Sequence, residues 1–205
     1  MNTMPKKQIM LMSKLRGTVC RQHIEAMFLY YASPVLRKVK PAALIPVNAQ
    51  CVSLWKAREK AMRKASGLYM TELKNKHNSS LFLIYDRYEL ESVIKNERSI
   101  SILSELGYKV DGDTDELIEH LSYRLSNSDF PHEVGLFLGY PPGDVKAYIE
   151  NEGKNYACCR YWKVYEDVGK AKEIWAKIDE AQSRAIDILL ELPPIHIAVN
   201  LIKTL

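Results

Sequence analysis

Apolar residues recur every three to four positions over most of this chain, which is the spacing of an amphipathic helix. The spacing predicts a helix from about residue 20, which Ser33-Pro34 interrupts or restarts. It also predicts a basic helix over residues 53–76 and a long final helix over residues 168–192. Helices therefore account for much of the predicted fold.

Capping patterns predict shorter helices in the middle of the chain. Asp86 is followed three residues later by Glu89, and Asp113 is followed in the same way by Glu116. In such a pair each side chain accepts a hydrogen bond from a backbone amide at the start of the helix. We therefore expect one helix after Asp86, another after Asp113, and a third between them that ends at Gly107.

Four short apolar stretches predict strands. Leu81–Tyr85 is a continuous apolar run, typical of a central strand that is buried on both faces. Val134–Leu138 is a second strand candidate, and Tyr161–Tyr165 alternates well enough to be a third. Ala43–Val47 contains a proline and is expected at a sheet edge. The predicted fold class is α/β or α+β, with a small sheet of about four short strands covered by at least five helices.

The chain divides into three predicted parts. Residues 1–19 are expected to form a flexible N-terminal segment, residues 20–192 a single globular domain, and residues 193–205 a C-terminal extension that fits either a helix or a strand. The early apolar run Ile9–Met12 is shorter than the roughly 7–15 residues of a signal-peptide core. No stretch reaches the roughly 18 apolar residues of a membrane helix. We therefore expect a soluble cytoplasmic protein with no membrane partner.

Charge is distributed unevenly along the chain. Residues 1–76 carry 15 Lys and Arg against 3 Asp and Glu, whereas residues 77–205 carry 14 against 22. This division predicts either a basic surface for an anionic partner or two oppositely charged parts that attract each other within the fold. No aromatic or glycine-rich nucleic-acid motif accompanies the basic part, so nucleic acid is not the expected partner.

Two neighbouring pairs of residues carry the most plausible reactive groups. His132 and Glu133 could act as a general base or metal ligand or, alternatively, as a structural pair that fixes the start of the predicted strand. Cys159, next to Cys158, could have a thiolate stabilised by nearby cations, or one of the two thiols could simply pack in the core. No metal site is expected, because no ligand spacing typical of zinc is present. The cysteines are expected to be reduced.

A turn and an aromatic cluster are the other candidate sites. Gly139–Asp144 joins a predicted strand to a short helix whose amides could bind an anion, although Asp144 is expected to cap that helix itself. The aromatic residues that follow alternate with cations and could stack a flat ligand or pack the sheet against a helix. The candidate ligand-binding residues are Tyr140, Asp144, Lys154, Asn155, Tyr156, Tyr161 and Trp162. No glycine-rich nucleotide motif is present, so the cofactor is unknown.

A family resemblance rests on the run FPHEVGLFLGYPPGDVKAYIENEGKNY, followed by Cys159 and YWKVY. This segment resembles the hallmark of the bacterial family named domain of unknown function 3793, and the likeness extends over about residues 25–180. The resemblance implies no established activity. The one association it implies is with iron or flavodoxin-linked pathways. Ala32 and Arg160 depart from the family pattern, which has cysteine and glycine at these positions, so no paired thiols are implied here.

Three functions remain open from the sequence. The first is a non-catalytic accessory or binding protein with a small-ligand site in the family segment. The alternative is a thiol-dependent or redox enzyme that uses Cys159 with His132 and Glu133, and the third is a weak nucleic-acid binder through the basic helix at residues 53–76. A partner cannot be named, and homo-oligomer formation stays open. If a small-molecule site exists, we expect the loops around His132, Asp144 and Cys159 to converge on it.

Overall fold

A three-stranded antiparallel sheet lies between two groups of helices in the computed structural model, which describes residues 21–76, 79–127, 130–191 and 193–204. The described helices are α1 (Arg21–Leu36), α2 (Ala49–Ser66), α3 (Arg87–Ile94), α4 (Glu97–Glu105), α5 (Thr114–Asn127), α6 (Val134–Phe137), α7 (Pro142–Glu150), α8 (Val168–Leu190) and α9 (Ile195–Lys203). The sheet consists of β1 (Ala42–Asn48), β2 (Tyr69–Lys76) and β3 (Ser79–Tyr85). A separate hairpin consists of β4 (Cys158–Cys159) and β5 (Lys163–Val164). The predicted mixture of helices and a small sheet is confirmed.

The strand β3 is the centre of the sheet. It pairs with β1 on one side and with β2 on the other, both in the antiparallel direction. Pro46 therefore lies in an edge strand, where its missing N–H leaves no gap in the sheet. The predicted central strand Leu81–Tyr85 and the predicted edge strand Ala43–Val47 are both confirmed.

The two faces of the sheet contribute to two different cores, because successive side chains of a strand point to opposite sides. On one face, Phe82 and Ile84 pack against α1, α2, α9 and the second half of α8. On the other face, Leu83 and Tyr85 pack against the helices from α3 to α7. A third, smaller cluster joins the hairpin to the first half of α8 through Trp162 and Trp175.

Of the two predicted capping boxes, the one at Asp113 forms in full, whereas at Asp86 the backbone amide donates to the Pro41 carbonyl instead of to Glu89. Asp86 accepts hydrogen bonds from the amides of Tyr88 and Glu89 at the start of α3. Asp113 accepts a hydrogen bond from the Glu116 amide, and the Glu116 carboxylate accepts one from the Asp113 amide, before α5 begins. Local sequence therefore sets the start of both helices.

The predicted basic helix over residues 53–76 is wrong at both ends. It begins at Ala49, because the Asn48 side chain caps it, and it ends at Ser66. Gly67 adopts a left-handed conformation, with φ of 75°, and its amide closes the helix on the Arg63 carbonyl at 2.8 Å. The residues after Gly67 form strand β2.

Two strand predictions in the family segment are corrected by the structure. Val134–Leu138 is not a strand but the short helix α6 with Leu138 at its C-terminal end. A short and uniformly apolar run has no period that separates a strand from a helical turn, although the predicted burial of Leu136 and Leu138 is confirmed. Within Tyr161–Tyr165, only Lys163 and Val164 form a strand, paired with β4.

The first and last elements of the described residues are helices. The predicted flexible segment, residues 1–19, lies outside the described residues. The helix α1 continues through Pro34 to Leu36, so the expected interruption does not occur; the proline lies in the last turn. The segment at residues 193–205 contains α9, which packs on α1, α2 and α8 and buries Ile195, Val199 and Ile202 in the first core.

Candidate ligand-binding cleft

A cleft of about 290 Å³ opens between α6, α7 and the β4–β5 hairpin. This volume is near the lower end of the roughly 300–1,000 Å³ found for small-molecule sites. The lining side chains are mostly aromatic or aliphatic, and they include Phe130, His132, Val134, Tyr140, Val145, Tyr148 and Trp162. The charged or reactive groups that line it are Asp144, Cys159, Arg160 and Lys163. The cleft is therefore suited to a small and mainly apolar molecule.

Asp144 joins the two sides of the cleft. Its carboxylate is buried and accepts hydrogen bonds from the Trp162 indole N–H at 2.8 Å and from the amides of Tyr165 and Glu166 at 2.7 and 3.2 Å. These three donors satisfy a charge that would otherwise be costly to bury. The prediction that Asp144 caps α7 is wrong: Pro141 holds the N-cap position, and no side chain caps that helix.

Stacked rings form one wall of the cleft. The rings of Tyr140 and Trp162 are nearly parallel, with centroids 5.0 Å apart, and Trp175 meets Trp162 edge to face at 5.4 Å. Gly135 lies against this wall, where a β-carbon would come within 3.0 Å of the Tyr140 ring. Burial raises the pKa of Tyr140 to about 12, so its hydroxyl stays neutral and donates to the Tyr161 carbonyl at 3.2 Å. The wall is fixed before any ligand arrives.

The hairpin is fastened to α8 by a polar cluster on its other side. Arg160 forms an ion pair with Asp179 at 2.6 Å, and the Tyr161 hydroxyl donates to the same carboxylate at 2.7 Å. Burial, followed by the hydrogen bond to Asp179, raises the pKa of Tyr161 well above its ordinary value. Tyr161, which the sequence suggested as a stacking residue, therefore anchors the hairpin through its hydroxyl.

His132 and Cys159 line the same cleft. In the sequence, His132 comes before helix α7 and Cys159 comes after it. The His132 side chain is exposed, and its ring centroid is 4.7 Å from that of Tyr148. Cys159 is exposed and its neighbour Cys158 is half-buried, which is the alternation expected along a strand. The structure thus brings together the imidazole and the thiol that the sequence singled out.

Glu133 does not join them. Its carboxylate is buried beneath α6, where Arg124 lies 2.5 Å away and the Tyr108 hydroxyl donates at 3.0 Å. Burial, together with this neighbouring carboxylate, raises the pKa of Tyr108 far above its ordinary value. Glu133 therefore ties α5 to α6 and has the structural role that the sequence left open.

Three other candidates lie outside the cleft lining. Lys154 is exposed and pairs with Glu152 at 2.9 Å, and Asn155 occupies a left-handed turn with φ of 60°. Tyr156 is 44% exposed and contacts the site only through its ring, whose centroid is 4.8 Å from the Lys163 ammonium.

Sequence reasoning missed Tyr148 and Phe130 as cleft residues. Tyr148 fits the apolar spacing of α7, which by itself favours a packing role, whereas in the fold it lies next to His132 and Lys163. Phe130 is 54% exposed in the structure, and the only signal in the sequence is an aromatic residue directly before Pro131 and His132.

The turn at Gly139–Asp144 faces a second cleft, where an acidic side chain already lies. A β-carbon at Gly143 would be 2.5 Å from both carboxylate oxygens of Glu166. This carboxylate stands in front of the α7 N-terminus, so the turn is not a free anion site. Among the described residues, no group of three or more His, Cys, Asp or Glu side chains is placed to hold a metal ion.

Comparison with known proteins places the chain in a family. The chain belongs to the family described as "Protein of unknown function (DUF3793)", whose model matches residues 28–196. The match confirms the resemblance seen in the sequence, and it contains every residue of the cleft. No curated protein and no solved structure matches the chain. Within the described residues, no helix is both long and apolar enough to cross a membrane.

Proposed function

We propose that this protein is a non-catalytic binding protein, whose ligand is a flat and largely apolar small molecule held in the aromatic cleft. The observation that carries the proposal is the ring arrangement: the stacked Tyr140 and Trp162 lie on one side of the cleft, and His132 and Tyr148 lie on another. Aromatic side chains that line a cleft bind flat molecules by stacking on them and by excluding water.

Rigidity supports the same proposal. Asp144 fixes the Trp162 indole, and the Arg160 and Tyr161 contacts with Asp179 hold the hairpin in place. A cleft whose walls are already ordered loses little conformational entropy when a ligand binds, so even a small ligand can be retained.

The test is purification of the protein under native conditions, followed by mass spectrometry for a retained small molecule. We expect a retained molecule that His132→Ala or Cys159→Ser removes while the melting temperature stays nearly unchanged, because both side chains are exposed. Tyr88→Leu is the matched control, since Tyr88 is 79% exposed on α3 and does not line the cleft. Retention that is indifferent to all three changes would contradict the proposal.

A thiol-dependent enzyme is the second candidate, because His132 and Cys159 share the cleft. A working pair requires that the imidazole increase the thiolate fraction of the cysteine. In a Cys20→Ser, Cys51→Ser, Cys158→Ser background, the pH profile of iodoacetamide alkylation at Cys159 should then shift on His132→Ala. An unchanged profile would leave the binding proposal as the better account of the cleft.

A further inference from the structure

The Lys163 ammonium has an unusual environment beside the cleft. It donates a hydrogen bond to the Gly153 carbonyl at 2.6 Å and lies over the rings of Tyr148 and Tyr156, at 5.4 and 4.8 Å from their centroids. Among the residues that the structure describes, no carboxylate forms an ion pair with it. Carbonyl and ring contacts orient an ammonium group but leave its full charge in place.

The other charged groups that line the cleft already have polar partners within the fold. Arg160 forms its ion pair with Asp179, outside the cleft. The Asp144 carboxylate is engaged by three N–H donors and is buried behind Trp162. Lys163 is therefore the lining residue whose positive charge is available to a bound molecule.

We propose that the ligand is a planar aromatic molecule with one carboxylate group, which pairs with Lys163 while the rings lie against Tyr148 and Trp162. The inference rests on the proposed function and adds the charge of the ligand to it. One uncompensated cation matches one negative charge, and the apolar walls strengthen the pairing because they lower the local dielectric constant. The Gly153 bond holds the ammonium in place with two N–H donors left for the ligand.

The experiment compares two probes of nearly identical shape, 2-naphthoate and 2-naphthamide, by isothermal titration calorimetry at pH 7.5. Both present the same two fused rings, but only the naphthoate is charged. We expect the naphthoate to bind at least about tenfold more tightly, as one charge-assisted hydrogen bond would give. The preference should decrease as salt is added, because the ion pair is partly exposed at the cleft mouth.

Variants of the lysine identify the charge that is responsible. Lys163→Met should remove the preference for naphthoate while leaving naphthamide binding within about threefold, and Lys163→Arg should restore much of it. Lys172→Met is the matched control, since Lys172 is exposed on α8 and does not line the cleft. Melting curves of each variant verify that the hairpin still folds.

The outcomes separate the inference from the proposed function. Equal binding of the two probes, or a preference that survives Lys163→Met, would overturn the carboxylate inference and leave an apolar ligand site. If Lys163→Met does not fold, the comparison of the two probes on the unaltered protein decides the matter alone. Absence of binding by both probes would overturn the proposed function and the inference with it.

Discussion

Lys40 carries a positive charge into a partly buried position between α1 and β1. Its ammonium lies over the ring of Tyr140, 5.3 Å from the centroid, and no carboxylate among the described residues pairs with it. Burial lowers the pKa of Lys40 from 10.5 to about 8. The charged form of this lysine therefore opposes folding at neutral pH.

This lowered pKa predicts a specific pH dependence. Between about pH 8 and 10.5 the unfolded chain binds the Lys40 proton more tightly than the folded chain, so this group makes the protein more stable as pH rises. Lys40→Met should be more stable than the unaltered protein by about 1–2 kcal/mol at pH 7, a value reduced for partial exposure, and the difference should shrink by pH 10. Urea unfolding at several pH values measures it.

The matched control for this prediction is Lys172→Met, in which an exposed lysine is removed. The difference in the free energy of unfolding between Lys172→Met and the unaltered protein should not depend on pH in the same range. Tyr161, whose raised pKa reduces stability above pH 10, does not contact Lys40 and is present in all three proteins, so its contribution cancels in the comparison. A constant difference for Lys40→Met would show that its ammonium is solvated in the folded state.

Gly139 is a second position where one residue controls the path of the chain. Its φ is +75°, and a β-carbon there would lie 2.8 Å from the Pro41 Cγ atom. Gly139→Ala should destabilise the protein by about 2–4 kcal/mol, because a left-handed backbone and an overpacked contact each add to the cost. Chemical denaturation measures the loss.

Gly107→Ala is the matched control for Gly139→Ala. Gly107 has a similar φ of +84°, but no atom lies within 4 Å of an added β-carbon. Gly107→Ala should lower the free energy of unfolding by about 1 kcal/mol, the cost of the left-handed backbone alone. Equal losses at the two glycines would mean that the Lys40-Pro41 loop moves away from the turn without cost.

At the scale of elements, the sequence predicted those features that neighbouring residues determine. The caps at Asp86 and Asp113 act within four residues of chain, and the apolar run of β3 is long enough to indicate a central strand. Strand β2 was missed because Leu68, Tyr69 and Leu73 continue the helical spacing of α2, whereas Gly67 ends the helix. The helix ends at this glycine although the apolar spacing continues, because the Gly67 amide closes the last turn on the Arg63 carbonyl.

The cleft illustrates the same limit at the level of a site. The sequence predicted that the loops carrying His132 and Cys159 converge because they flank two predicted strands. Both residues line the cleft, although one of those strands, Val134–Leu138, is a helix. The sequence could not show that Glu133 turns away from His132, because that orientation depends on Arg124, which lies in another helix. Nor could it separate Lys163 from Arg160, whose charges differ in availability only through Asp179 on α8.

At the scale of the whole molecule, ion pairs among the described residues of the basic part, residues 1–76, involve three of its cations and leave its net positive charge unchanged. Its three acidic residues each pair with a cation nearby: Glu25 with Arg58, Glu59 with Arg63, and Glu72 with Lys56. Two further pairs, Arg37 with Glu180 and Lys38 with Glu89, join the basic part to acidic residues among residues 77–205. Among the described residues, direct ion pairs between the two parts are therefore few, and most of the basic excess is not paired with the acidic part.

This arrangement predicts weak nucleic-acid binding. Of the five cations on α2, three are held by carboxylates, and Lys60 and Lys64 are the pair without such a partner among the described residues. Binding to a 20-base-pair duplex, measured by fluorescence anisotropy, should be very weak at about 150 mM salt. At low salt, the slope of the logarithm of the binding constant against the logarithm of the salt concentration should correspond to the release of about two counterions. A dedicated nucleic-acid-binding protein makes about 6–10 phosphate contacts.

Charge-reversal variants decide whether α2 is involved in any binding that appears. Lys60→Glu with Lys64→Glu should remove the residual low-salt binding, whereas Lys146→Glu on α7 should leave most of it, because a single exposed lysine on another helix contributes little to the field around α2. The prediction would be contradicted if the unaltered protein bound the duplex tightly at physiological salt. The contradiction would also require that the Lys60→Glu, Lys64→Glu double variant and the Lys146→Glu variant each weaken this binding in proportion to the charge removed. That result would instead indicate that carboxylate-paired cations such as Arg58 exchange their partners for phosphate, at the expense of ion pairs that now join α2 to α1.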